Sequence, residues 1–383
     1  MKNKKVILTS ISFILVLTII IVYSNKEEDT SFQDNNTKQV VQENTLSMMI
    51  EQTAGAGDYK LETRSSWPTS GYTFNTTLSK CENGSTLSWD STNGIVTMTG
   101  NVSDKCYVYF DIYNPTLAEY IVDLYTTQGA NGLYHHDGSL ENGISDGSYR
   151  YAGASSSVNN YVCFGSTADT CPDDNKYRII GVFGDQVKLI KATSVGDMAW
   201  DSNVSNIWST SSLNTYLNGD YLTGLTTTWS NKIATTTWKV AGNTYSNIYS
   251  VVPKTAYTNE ITSPNKGSNG TEDTYSAKIG LMYVSDYGLA ADPSAWTTTL
   301  VFYNGSVNGS TIKSLNWMYL GMDEWTISRS AGSPDYAFFV NSDGNVFNYY
   351  VDHSYAVRPV FYLTSSITYV RGDGTASNPY VIN

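Results

Sequence analysis

The four cysteines of this 383-residue chain fall into two local pairs, Cys81 with Cys106 and Cys163 with Cys171. Neither pair has the two-residue spacing of a metal knuckle, and no histidine cluster accompanies them. Disulfides are therefore expected rather than a zinc site. In the chain-entropy picture the first bridge stabilises its loop by roughly 3.5 kcal/mol and the second by about 2.5 kcal/mol. Such bridges belong to an oxidising compartment, so each holds a local segment of an exported chain.

The N-terminus agrees with export. Residues 6–23 carry no charge; Lys2, Lys4 and Lys5 precede them, and Glu27, Glu28 and Asp29 follow. Eighteen helical residues span roughly 27 Å, close to the hydrocarbon thickness of a bilayer. The flanking charges place the N-terminus in the cytoplasm. The expected localisation is the cell membrane, single-pass through residues 6–23, with the C-terminal bulk extracellular. Cleavage as a signal peptide is the alternative, but Ile21-Val22-Tyr23-Ser24-Asn25 makes a poor cleavage site. A net charge of −12 argues against nucleic acid and against docking on anionic lipid.

Residues 1–24 are thus read as anchor or signal and 25–57 as a polar stalk with a short helix around Leu46 to Glu51. Residues 58–113 form a small β module. In it Thr86-Leu87-Ser88-Trp89 and Ile95-Val96-Thr97-Met98-Thr99 alternate apolar and polar residues, and Tyr107 to Phe110 makes a third strand. Cys81–Cys106 would hold so small a core. Residues 114–148 read as a helix, Pro115 to Gln128, followed by a Gly/Asn/Ser/Asp-rich connector. The main domain is 149–383. There Tyr177 to Phe183 and Gln186 to Ile190 form a hairpin around Gly184-Asp185. Ser211 to Leu225 reads as an amphipathic helix and Thr228 to Trp238 as a second one. The hairpin Ala337–Val340 and Val346–Tyr350 and the closing segments near Val357 to Leu363 and Tyr380 to Ile382 follow.

Four blocks carry a resemblance: Tyr177-Arg178-Ile179-Ile180-Gly181-Val182, Ser212-Leu213-Asn214-Thr215-Tyr216-Leu217-Asn218, Trp325-Thr326-Ile327-Ser328-Arg329 and Val357-Arg358-Pro359-Val360-Phe361. In that order they resemble an uncharacterised bacterial exported domain family, over about residues 149–383. Ala356 stands where that family has Gly, and Ser328-Arg329 reverses its Arg-Ser order. The block order is more distantly similar to the formylglycine-generating-enzyme and C-type-lectin-like group. That resemblance implies an α+β fold: an irregular C-type-lectin-like main domain, preceded by the disulfide-held β module and an N-terminal transmembrane helix. It does not bring the group's chemistry with it. No cysteine follows Cys171, and only His135, His136 and His353 are present. The lectin calcium signatures are absent too.

Neighbouring His135 and His136 point apart on an extended chain and make a poor chelate. Asn341-Ser342-Asp343-Gly344-Asn345 imitates a calcium loop but has Val346 where Gly is required, and a hairpin turn explains it. Arg371-Gly372-Asp373 spells an adhesion tripeptide and equally makes a turn. Trp200, Trp208, Trp229, Trp296 and Trp317 sit in Ser/Thr/Asn/Gly-rich loops. They are the candidate ligand-binding aromatics, with plugging of loops onto the core as the alternative. Arg358, between apolar neighbours, is assigned a structural role in a buried pair. The expectation is a membrane-anchored bacterial cell-surface protein whose ectodomain binds glycan or a host or envelope protein. It is expected to be no enzyme and to need no cofactor. An exported enzyme, with acids converging around Asp286, Asp323 and Glu324, or a structural envelope component, are the alternatives.

Overall fold

The computed structural model describes residues 46–383 apart from 64–65, 69–70, 92, 130 and 267–272. The expected membrane segment, residues 6–23, and the stalk up to residue 45 lie outside the described residues. Among the described residues no helix is long and apolar enough to cross a membrane. The longest α-helix there, Leu117–Gln128, has 12 residues, so it spans only about 18 Å. The transmembrane helix of the expected fold and the single-pass localisation thus find no counterpart among the described residues.

The chain divides into two compact units, Met1–Tyr113 and Asn114–Asn383. In the first, the sheet runs Tyr59–Glu62, Leu46–Glu51, Cys106–Ile112, Tyr72–Phe74, and Lys80–Cys81 also pairs with Cys106–Ile112. Thr86–Asp90 and Ile95–Thr99 make a separate hairpin. Leu46–Glu51 is a strand, not the expected helix. It runs parallel to Cys106–Ile112, and its alternate residues Met48 and Ile50 meet Val108 and Phe110 in the core. Six residues are too few for periodicity to separate the two states, and sheet pairing decides. Cys81 and Cys106 face each other across this sheet and are bonded.

The second unit is a mixed α/β arrangement with many strands and few helices, not the expected lectin-like α+β pattern. A nine-stranded sheet runs Ile279–Gly280, Val360–Tyr362, Gln186–Lys191, Lys176–Phe183, Tyr161–Cys163, Tyr380–Ile382, Tyr369–Arg371. Ser145–Tyr151 joins Lys176–Phe183 and carries Leu133–Asp137 on its other side. A five-stranded sheet runs Asp197–Ala199, Ser354–Ala356, Glu324–Arg329, Tyr336–Val340, Val346–Tyr350. One continuous apolar core joins both sheets. Cys163 is bonded to Cys171.

Two sequence expectations fail here for local reasons. The Gly/Asn/Ser/Asp-rich connector contains the strand Leu133–Asp137 and the start of Ser145–Tyr151, and Leu133 and Ile144 are its few large apolar residues that reach the core. The expected helix Thr228 to Trp238 is a single turn, Thr227–Ser230, followed by the strand Thr236–Lys239. Three consecutive threonines, Thr235 to Thr237, favour extended chain. Ser211 to Leu225 is helical, with Ser211 accepting the N–H of Asn214 as N-cap and a π segment, Leu217–Tyr221, inside the run.

Gly181 marks where the nine-stranded sheet branches. Its strand shifts register between Ile179 and Gly181, and Ser145–Tyr151 attaches there. A Cβ on Gly181 would stand 2.3 Å from the Tyr149 carbonyl oxygen. Backbone cannot yield as a flexible side chain can. Gly181→Ala is therefore expected to destabilise the protein by roughly 1–3 kcal/mol, as overpacking does. Urea unfolding checks this, and an unchanged midpoint would contradict the close approach.

Candidate functional site

The candidate tryptophans are all buried, which corrects their assignment to ligand binding. Trp200 donates its indole N–H to the Thr326 carbonyl, Trp296 to Ala291 and Trp317 to Tyr151. Trp208 lies edge-on to Trp200, and Trp229 lies edge-on to Phe164. Their loops are polar because the rings turn inward, leaving the Ser, Thr and Asn neighbours outside.

The three acids do not converge. Asp286 and Glu324 are buried in separate ion pairs, and Asp323 accepts the backbone N–H of Ser342. Asn341 accepts the N–H groups of Asp343 and Asn345, as a hairpin turn requires. Cys81, Asp104 and Cys106 are the grouping with metal-ligand proximity among the described residues, and both sulfurs are spent in the disulfide.

Arg358 lies buried beside Glu324. Its Nε donates to Oε1 at 2.6 Å, and its Nη2 donates to Oε2 at 2.9 Å and to the Met318 carbonyl at 2.7 Å. Burial pushes the Glu324 carboxyl up, and Arg358 opposes that. Removing the guanidinium would strand a buried carboxylate. Arg358→Ala is expected to cost roughly 2–4 kcal/mol, and Arg358→Lys, which cannot reproduce the fork, should recover only part of it. Thermal melts of both variants decide; an unchanged melt excludes a structural role.

His136 is buried against Trp296 at 5.3 Å between ring centroids. Its Nδ1 accepts the Ile144 N–H at 3.2 Å, and Nε2 has no partner among the described residues. Burial, reinforced by Arg150, pushes its pKa from 6.5 down to about 3. The unfolded chain therefore binds a proton below pH 6.5 that the folded one refuses until about pH 3. Stability from this group is complete above the upper value and falls with pH through that window. Between pH 7 and pH 5 the loss should reach about 2 kcal/mol. Urea melts at both pH values should show it in the wild type and not in His136→Gln; equal slopes would refute it.

One cavity of about 200 Å³ opens beside the helix Leu117–Gln128. Thr116 caps this helix through a reciprocal pair with Glu119. Leu117, Ala118 and Ile121 are buried in the core, and Tyr120, Leu124 and Gln128, spaced four apart in a stripe beside Leu117, line the cavity. Its floor is Leu133, Tyr151 and Tyr380, all buried. The Tyr380 hydroxyl donates to the Asn159 carbonyl at 3.4 Å, and burial raises the hydroxyl pKa values of both Tyr151 and Tyr380. Trp317 fixes the floor from behind through the Tyr151 carbonyl. Half-buried Tyr120, Leu124 and Tyr125 form the wall. Asn131, Asn159, Gln128 and Asp373 stand exposed at the rim.

Further rings extend the wall. Tyr369 stacks on Tyr120 at 3.6 Å, and His135 stacks on Tyr149 at 4.1 Å with Tyr125 edge-on to both. Asp373 accepts the N–H and hydroxyl of Thr375, so Arg371-Gly372-Asp373 is a turn with Gly372 at φ 104°. These tyrosines escaped sequence reasoning. The available signal was the four-residue spacing of Tyr120, Leu124 and Gln128, a stripe that runs beside Leu117 on the helix.

Residues 184–365 match the family model described as a domain of unknown function (DUF6273). The cavity-lining residues lie outside that stretch, on both sides of it. No curated protein and no solved structure matches the chain.

Proposed function

We propose that the Asn114–Asn383 unit is a glycan-binding module whose tyrosine-lined cavity takes one neutral sugar ring. The observation that carries this reading is the arrangement of the cavity: aromatic floor and wall, amides and one carboxylate at the rim. Tyrosine rings offer the C–H face of a sugar an apolar, rigid platform at low entropic cost. Asn131, Asn159, Gln128 and Asp373 supply the donors and acceptors that sugar hydroxyls require. The volume, about 200 Å³, falls below the roughly 300–1,000 Å³ of pockets that enclose drug-sized ligands, so a single ring suits it.

Binding rather than hydrolysis follows from the carboxylates. Glycoside hydrolysis uses two facing carboxyl groups about 5–9.5 Å apart, and Asp373 is the one carboxylate among the described lining residues. The chain's net charge of −12 and Asp373 at the rim disfavour sulfated or acidic glycans.

The test is a glycan array with the full, disulfide-bonded chain, followed by titration of the best neutral sugar. Tyr125→Ala and Asn131→Ala should each weaken binding by about tenfold, the equivalent of one ring contact or hydrogen bond, at unchanged melting temperature. Retention of proteins but of no glycan, or sugar binding indifferent to both variants, would overturn the reading.

A further inference from the structure

A second locus lies within the core of the same unit, independent of the cavity. Lys188, on the strand Gln186–Lys191, and Asp286, in the helix Val284–Leu289, are both buried. Lys188 Nζ stands 2.5 Å from Asp286 Oδ2. Arg150 Nη1 donates to the other carboxylate oxygen, Oδ1, at 3.1 Å, and Asp146 holds Arg150 from behind at 2.8 Å. The Tyr283 N–H donates to Oδ2 at 3.0 Å. Four rings surround the amine: Tyr283 at 4.5 Å, Tyr362 at 5.4 Å, and Phe183 and Trp238 at 5.6 Å from Nζ.

We propose that Lys188 and Asp286 condense into an intramolecular amide that cross-links the sheet to the helix. An amine and a carboxyl group in dry contact need only the neutral form of the pair to react, and one proton crossing the contact supplies it. Water-free surroundings penalise the charged form, and burial does lower the Lys188 pKa, with Asp286 opposing. The Nζ lone pair then attacks Cγ. The C–N bond forms, the Cγ–Oδ2 bond breaks, and Oδ2 leaves as water with the carboxyl proton and one amine proton. Nothing is oxidised or reduced, and no co-reactant enters. Oδ1 becomes the amide oxygen. Arg150 is the positioning residue, placed to hold the negative charge that develops on Oδ1 as Cγ becomes tetrahedral. Fixed contact supplies the effective concentration that a bimolecular condensation lacks.

Intact-mass measurement of the full chain, unfolded after purification, decides the matter. The expected mass is one water below the sequence mass, beyond the hydrogens lost to the two disulfides. Proteolysis after reduction should yield one branched peptide joining Lys188 to Asp286. Asp286→Asn should give the same final mass as the wild type, because ammonia leaves instead of water. Lys188→Arg should keep its full mass, run more slowly on a reducing denaturing gel and melt at a lower temperature. A folded wild type at full mass, with Lys188 and Asp286 in separate peptides, would overturn the proposal.

Discussion

Before any condensation with Lys188, the Asp286 carboxylate meets two buried cations inside the second unit, one of which, Arg150, is also paired with Asp146. Lys188 and Arg150 enter the core from neighbouring parts of the nine-stranded sheet, and neither has water to dissolve its charge. Each would be prohibitively costly alone. Asp286 answers both and also accepts the Tyr283 N–H at the start of its own helix. Glu260 completes that helix start by accepting the N–H groups of Val284 and Ser285 and the hydroxyl of Ser328. Burial pushes the Glu260 pKa up to about 7 against these donors. The sheet therefore cannot close without the helix, and the helix cannot be capped without the sheet in place. The branch at Gly181 depends on this too, since it brings Arg150 into register beside Lys188.

The cavity is a consequence of that core. Tyr151 ends the strand that carries Arg150, so the residue that forms the cavity floor is set by the same pairing that buries the cation. Trp317 links the floor to Arg178, which it meets face-on at 4.7 Å. Burial lowers the Arg178 pKa to about 10, and Asn160, Ser155 and two backbone carbonyls take its N–H groups. The cavity is thus backed by rigid polar packing rather than by loops that must order on binding.

Period-two alternation and tight turns were legible in the sequence. They marked the hairpins around residues 91–94, 184–185 and 341–345, because there the local pattern and the final pairing agree. Both disulfides could be read from spacing alone. Leu46–Glu51 could not, because its partner Cys106–Ile112 lies some sixty residues away and parallel. The tryptophans misled for a related reason. Composition of the flanking loop says nothing about which way a ring turns, and burial is settled by distant partners such as Thr326 and Tyr151. The cavity was illegible as a set because its tyrosines come from three distant segments: Tyr120 and Tyr125 from the helix, Tyr151 and Tyr380 from two strands.

The way the unit closes on itself has a temporal side. Tyr380–Ile382 pairs in parallel with Tyr161–Cys163, and the Leu117 N–H donates to the Ile367 carbonyl. The cavity is therefore made by the first and last parts of the unit, with the matched domain stretch between them. A chain emerging from the ribosome folds as its parts appear. The wall helix and the central strands have all been made while the floor still lacks Tyr380. The cavity is therefore completed only once Tyr380 has been made, and a nascent chain halted before that residue would present the wall with only Leu133 and Tyr151 of the floor.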